Sequence, residues 1–271
     1  KTMLENVRAK SPLVHNITNY VTVNDVANVL LAAGGSPIMS DDADDVEDIT
    51  SICGGLNINI GTLNKNTIPS MFLAGKKANA LGHIVLLDPV GAGASRLRTD
   101  TANRLMREVR FDAVRGNISE IKTLCTGSGT TKGVDADAVD AVTEANLDDG
   151  VALVKAFARQ TGCIIAVTGA IDLVSDGERC WCIRNGRAEM SRITGTGCQL
   201  SALMTAFLVA NPDRKLDAAA AAVCMMGLAG EIGWANMQPG DGNSTYRDRI
   251  IDAIFNMTSD ALEEGAKYEL R

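Results

Sequence analysis

Apolar and polar positions follow two rhythms along this chain. Short apolar runs, GGSPIM (34–39), LNINIG (56–61), HIVLLDPV (83–90), FDAVRGN (111–117) and CIIAVTG (163–169), are punctuated by Gly, Pro, Asp or Asn and predict strands covered on both faces. Between and after them run longer segments with helical spacing: VTVNDVANVLLAAG (21–34), DADAVDAVTEANLDDGVALVKAFARQTG (135–162) and LDAAAAAVCMMGLAGEIGWANM (216–237). Several of these close on glycine, as helices do where the chain must turn left-handed. Strand, helix, strand succession predicts an α/β fold with a mainly parallel sheet flanked by helices. Two further strand-like runs, AIDLVSDG (170–177) and RCWCIRNG (179–186), lie too close together for a crossover and predict a late antiparallel excursion. In such sheets ligands bind beyond the carboxyl ends of the strands, which directs attention to the polar residues ending each run.

Composition narrows the classes. A chain of 271 residues with 46% hydrophobic content buries a sizeable core and is expected to form one domain, residues 1–271. The net charge of −7 and the lack of a basic stripe argue against nucleic acid as a partner. Seven scattered cysteines, an odd number without paired metal spacing, fit buried thiols of a reducing compartment; Cys180 and Cys182 read as packing on a strand. No apolar run is read as a membrane span and KTMLENVRAK lacks a signal-peptide core, so the expectation is a soluble cytoplasmic protein without a membrane partner. DDADDVED (41–48) reads as a solvated helix start, His15 as a hydrogen-bonded structural group, and Trp181, Trp234, Met225 and Met226 as interior packing.

Three stretches carry candidate chemistry. HIVLLDPVGAG brings Asp88 to a strand end before a flexible turn, and FDAVRGNISE brings Arg115, Asn117 and Glu120 close behind another. Carboxylates, an arginine and glycines are what a magnesium nucleotide needs, namely hard oxygen ligands for the metal and cationic or backbone donors for phosphate. Each also has a plainer reading, Asp88 as a turn residue and NISE as a helix start with Glu120 in the first turn. There is no Walker A motif, and GAGAS is a near miss to a dinucleotide fingerprint because Arg96 stands where the last glycine belongs. The third stretch, RITGTGCQLSALMTAFLV (192–209), sets two glycines and a thiol at the mouth of an apolar helix. Unpaired N–H groups at such a start, from Gly195, Thr196, Gly197 and Cys198, make an anion pocket suited to a transferring phosphoryl group.

The order DPVGAG, RGNISEI, AVTG, TGTGC resembles a ribokinase-like kinase, and HNITNYVTVNDVANVLLAAGGSPIMSDD is similar to the hydroxyethylthiazole kinases of thiamine biosynthesis. The likeness runs from about residue 11 to residue 260 and implies a ribokinase-like three-layer sandwich that phosphorylates the hydroxyl of 4-methyl-5-(2-hydroxyethyl)thiazole with Mg-ATP. It further implies Asp88 and Glu120 near Mg²⁺, with Asn117 beside Glu120 placing phosphate; Arg115 and Thr168 on ATP; Met39 and Gly195 on the thiazole, with Asn19 and Val21 lining its pocket; and a homotrimer whose sites lie between subunits. Most ribokinase-like kinases have Asp where this chain, like the thiazole kinases, has Cys198; a thiol is mostly protonated at neutral pH, so Cys198 is either a slow base or a positioning group. A kinase of another small alcohol such as hydroxymethylpyrimidine, a nucleotide-dependent lyase, and a non-catalytic nucleotide binder stay open as alternatives.

Overall fold

The computed structural model describes residues 1–127 and 141–271. In chain order these form α1 (Thr2–Lys10), β1 (Leu13–Ile17), α2 (Val23–Ala33), β2 (Ser36–Met39), α3 (Val46–Ile52), β3 (Gly55–Asn59), α4 (Thr67–Leu81), β4 (Ile84–Asp88), α5 (Arg96–Glu108), β5 (Ala113–Asn117), α6 (Ile118–Gly127), α7 (Leu147–Thr161), β6 (Ile164–Thr168), β7 (Asp172–Ser175), β8 (Cys180–Ile183), α8 (Thr196–Ala210), α9 (Lys215–Ala235), α10 (Asn243–Asn256), α11 (Ser259–Gly265) and β9 (Tyr268–Leu270). The strands make one sheet in the order β2-β1-β3-β4-β5-β6-β7-β8-β9. Its first six strands are parallel, and β7, β8 and β9 are each antiparallel to the strand before them in that order. The expected α/β sandwich and its late antiparallel excursion are both present. The first part of the predicted helix 135–162 lies outside the described residues; the remainder is α7, entered through a short turn of 3₁₀ helix at Glu144–Asn146.

Two strands were not anticipated. β1 escapes a hydropathy reading because His15 and Asn16 interrupt it, yet both are buried with partners. His15 Nε2 donates to the Ser40 carbonyl (2.8 Å), which leaves Nδ1 to accept from the Thr50 hydroxyl (2.9 Å), so this histidine is structural, and burial holds its pKa below the usual value. β9 is a three-residue edge strand paired only to β8.

Sheet alternation separates two cores. Ile58, Leu87 and Val114 face a cluster that includes Met71 of α4, Leu105 of α5 and Val154 of α7. Leu86, Ala113 and Ala166 face the opposite cluster, dominated by α8 and α9. Twelve of the fifteen residues of α8 are buried, which is why its sequence is apolar all round instead of striped. It lies close on the sheet: a Cβ at Gly55 would come within 2.6 Å of Val209 Cγ2. The segment Pro212–Ala235, which contains α9, is long and apolar enough to cross a membrane, contrary to the expectation from sequence, but 72% of its most apolar window is buried inside the fold, where it serves as a core helix.

Candidate active site

The carboxyl ends of β1, β3, β4, β5 and β6 converge on the start of α8. That helix begins at Gly195, whose φ of 88° lies in the left-handed region, and no side chain caps it. Glycine is required there twice over, since a Cβ would also meet Thr22 Cγ2 at 2.3 Å. The first-turn N–H groups, at the positive end of the helix dipole, are thereby without a side-chain cap.

Beneath the helix start sits a buried ion pair. Asp88 Oδ2 accepts from Arg115 Nη1 (3.1 Å), Ser201 Oγ (2.7 Å) and Asn59 Nδ2 (3.3 Å), while Asp88 Oδ1 is buried with no hydrogen-bond partner among the described residues. Burial lifts the Asp88 carboxyl to about 6, with Arg115 and Ser201 opposing. Burial also works against the Arg115 charge, but Asp88 and Glu120 more than offset it and raise the guanidinium above its ordinary pKa. Arg115 Nη2 donates to Thr168 Oγ1 (2.7 Å), which brings the two residues expected at ATP into direct contact.

Glu120 and Asn117 form a reciprocal cap on α6. Glu120 N donates to Asn117 Oδ1 (2.8 Å), and Asn117 N donates to Glu120 Oε2 (2.8 Å). Glu120 Oε1 accepts from Gly91 N (2.9 Å), so this carboxylate ties the GAG turn after β4 to the end of β5. The plain reading of NISE as a helix start is therefore true, and it leaves Glu120 half-buried at the rim of a cleft.

That cleft, of about 320 Å³, is lined by Asn19, Val21, Arg115, Asn117, Glu120, Gly195, Gly197 and Cys198, with Thr22, Gly61, Thr62, Val90 and Thr194. Met39 lies outside the lining, half-buried against the small cluster of Val14, Val26, Leu30 and Cys198. A second cavity of about 650 Å³ lies beside it, with Thr168, Gly169, Asp172, Thr196, Leu200, Val223 and Met226 among its walls. Arg115 and Gly197 line both. Met226 is thus a wall of the larger cavity, beyond the packing role its sequence context suggests. Asp88 lies under the floor and lines neither cavity. Sequence reasoning passed over Thr22, Asn59, Ser201 and Asp172; the polar alternation in LNINIG was the available sign that a buried strand there presents amides to a site.

Cys198 Sγ accepts from Asn19 Nδ2 (3.2 Å). Burial, and then the charge of Asp88, push the thiol above its ordinary pKa, against the opposing effect of the polar side chains around the sulfur, the Asn19 amide among them. At neutral pH the residue is a thiol. Asp41, Asp42, Asp44 and Asp45 are exposed around the start of α3, and no cluster of three or more metal-ligating side chains occurs among the described residues.

This geometry coincides with a full-length family match: the model of the Hydroxyethylthiazole kinase family covers residues 4–260. The chain belongs to that family. It is 57% identical over 269 residues to a hydroxyethylthiazole kinase of Clostridium acetobutylicum, covering 99% of this chain and 98% of the relative. Among solved structures it is similar to a hydroxyethylthiazole kinase of Pyrococcus horikoshii OT3, with a TM-score of 0.88 and 32% identity over 100% of this chain and 98% of the other. A ribokinase-like superfamily protein from Enterococcus faecalis V583 shares the fold, with a TM-score of 0.62 at 10% identity over 93% and 88% of the two chains. The expected three-layer α/β architecture is thus one the chain shares with a ribokinase-like protein.

Proposed function

We propose that this chain transfers the terminal phosphoryl group of ATP to the hydroxyl of 4-methyl-5-(2-hydroxyethyl)thiazole. The observation that carries the reading is the junction of two cavities at Arg115 and Gly197, directly over the first turn of α8. The larger cavity suits a nucleotide, with apolar walls from Leu200, Val223 and Met226 for a base and Arg115 with Thr168 near the phosphates. The smaller cleft suits a compact alcohol beside Asn19, Val21, Gly195 and Cys198. A phosphoryl group passing between them meets the guanidinium and the N–H groups of Thr196, Gly197 and Cys198, which stabilise charge where it develops.

The donor set fits Mg²⁺. The unpartnered Oδ1 of buried Asp88 and the rim carboxylate of Glu120 are hard oxygen groups, and magnesium commonly takes one or two carboxylates plus phosphates and water. Held by these residues, the ion would supply positive charge to offset that of the phosphates. Asp88 meanwhile holds Arg115 in place, and Asn117 fixes Glu120. Cys198 sits at the hydroxyl as a protonated thiol, so positioning carries most of the catalysis and any base role strengthens with rising pH.

Tyr20, Val21 and Leu31, before and along α2, are 76%, 57% and 57% exposed, and Val21 also lines the cleft, which supports a homotrimer with the alcohol site completed at the subunit contact. Seven free, buried cysteines suit the cytoplasm. A phosphate-transfer assay with Mg-ATP against thiazole, pyrimidine and pyridine alcohols tests the reading. Turnover of the thiazole alcohol at least tenfold above the others is expected. Preference for hydroxymethylpyrimidine, or no transfer to any of them, would overturn it in favour of another kinase, a lyase or a nucleotide binder.

A further inference from the structure

The polarity of the contact at Cys198 is set two residues away. Asn59 is buried on β3, with Oδ1 accepting from Gly61 N (2.9 Å) and from Asn19 Nδ2 (3.1 Å), and Nδ2 donating to Asp88 Oδ2 (3.3 Å). Two of these partners cannot change role: a backbone N–H only donates, and Asp88 Oδ2, which already accepts from Arg115 and Ser201, offers Asn59 only an acceptor. Turning the Asn59 amide over would set donor against donor at Gly61 and oxygen against oxygen at Asp88. With its orientation so determined, Asn59 offers Asn19 an acceptor, and Asn19 must turn its NH₂ inward. The Thr22 hydroxyl completes the arrangement by donating to Asn19 Oδ1 (3.1 Å). The second hydrogen of that NH₂ is the one that reaches Cys198 Sγ.

On the reading of this cleft as the alcohol site, we infer that Asn59 is a positioning residue: it locks Asn19 as a hydrogen-bond donor to the Cys198 sulfur and links that contact to the Asp88–Arg115 pair under the phosphoryl path. A donor at sulfur occupies one of its lone pairs and favours an S–H directed away from Asn19, into the cleft that Cys198 lines. Without Asn59, the Asn19 amide is free to turn over, present its oxygen and accept the S–H instead, drawing the thiol away from the substrate hydroxyl. One buried amide therefore joins the acceptor side of the site to the phosphate side. It touches neither substrate.

The test is a double-mutant cycle on steady-state kinetics with Asn59→Ala, Asn19→Ala and the double variant, each with a melting curve. Asn59→Ala is expected to lower kcat by tenfold or more while KM for Mg-ATP stays within threefold, and the double variant is expected to match Asn19→Ala within twofold. Additive losses, or an Asn59→Ala enzyme with parental kcat, would overturn the inference, as would a kcat that recovers fully on cooling by as much as Tm has fallen. If Asn59→Ala does not fold, Asn59→Ser, which keeps a small polar group but supplies at most part of the amide's bonding, gives the same cycle. Cys198→Ala assayed in parallel is expected to lower kcat as well; parental turnover there would show that the contact at sulfur has no bearing on turnover and would overturn the inference, while leaving the alcohol-site reading itself standing.

Discussion

Gly197 lies against the guanidinium of Arg115. A Cβ at residue 197 would stand 2.6 Å from Arg115 Nη2 and 2.7 Å from Nη1, closer than such atoms approach. Arg115 cannot simply swing aside, because Asp88 and Thr168 hold its two terminal nitrogens. Glycine at 197, expected from sequence as part of an anion pocket, also lets a cation stand at the mouth of the helix.

Gly197→Ala should therefore cost both stability and activity. Alanine in the first turn of α8 favours the helix by up to about 1 kcal/mol, but crowding Arg115 away from the buried Asp88 carboxylate outweighs that gain, so Tm should fall. Displacing Arg115 should raise KM for ATP and cut kcat by tenfold or more. Parental kinetics in this variant would show that Arg115 relaxes without consequence.

Glu120→Gln replaces a carboxylate that accepts two backbone N–H bonds with an amide that accepts only at one end. Losing one charge-assisted bond costs about 1–3 kcal/mol, a fall of about 2–12 °C in Tm for a chain of this size. Turnover should fall strongly and half-saturating magnesium should rise. A loss of Tm with unchanged magnesium dependence would confine Glu120 to its cap.

At Cys198 the decisive variable is pH. Burial raises the thiol pKa, so if thiolate is the base, parental turnover should climb from pH 6 to 9, Cys198→Ala should be low and flat, and Cys198→Asp should be flat with activity at or above the parent at pH 7. Alanine as active as the parent across that range would leave catalysis to Arg115 and the helix start.

Asp172 offers a test of linkage. Its carboxyl accepts from Gly169 N (2.8 Å), and burial raises it to about 7. Between the unfolded carboxyl pKa and 7 the native state binds more protons than the unfolded state, so its contribution makes the fold less stable as pH rises through that window and then constant above it. Asp172→Asn keeps the acceptor and removes the penalty. Its stability advantage should grow from pH 4 to 7 and level off, with an upper bound of about 4 kcal/mol. Urea melts of both proteins across pH 4 to 8 measure it; a pH-independent difference would refute it.

Assembly is checked by light scattering. A trimer is expected at assay concentration, and Tyr20→Lys, at the most exposed of the apolar residues before and along α2, should shift it toward smaller species and weaken binding of the alcohol more than of ATP. A fully active monomer in the parent protein would exclude shared sites.

Local pattern alone determined much of this protein. The alternation of short apolar runs and helical segments announced the parallel sheet, the antiparallel β6-β7-β8 excursion and the polar strand ends, and TGTGC marked the start of α8 to within a residue. These features depend on near neighbours, whose spacing a chain displays directly. Partnership was another matter. That Arg115 meets Asp88, that Ser201 closes on the same carboxylate and that Asn19 reaches Cys198 depend on contacts 27, 113 and 179 residues apart along the chain. Only the folded sheet brings them together. The same cause hid β1, whose polar His15 and Asn16 break the apolar pattern and are accommodated only because Thr50 and Ser40 satisfy the one and Asn57, through its side-chain amide, the other. It also left α9 apolar enough for a membrane span, since apolarity records burial without saying whether lipid or protein supplies it. Sequence could name Cys198, Arg115 and Glu120; only tertiary structure could decide that a buried amide, Asn59, sets how the first of them is held.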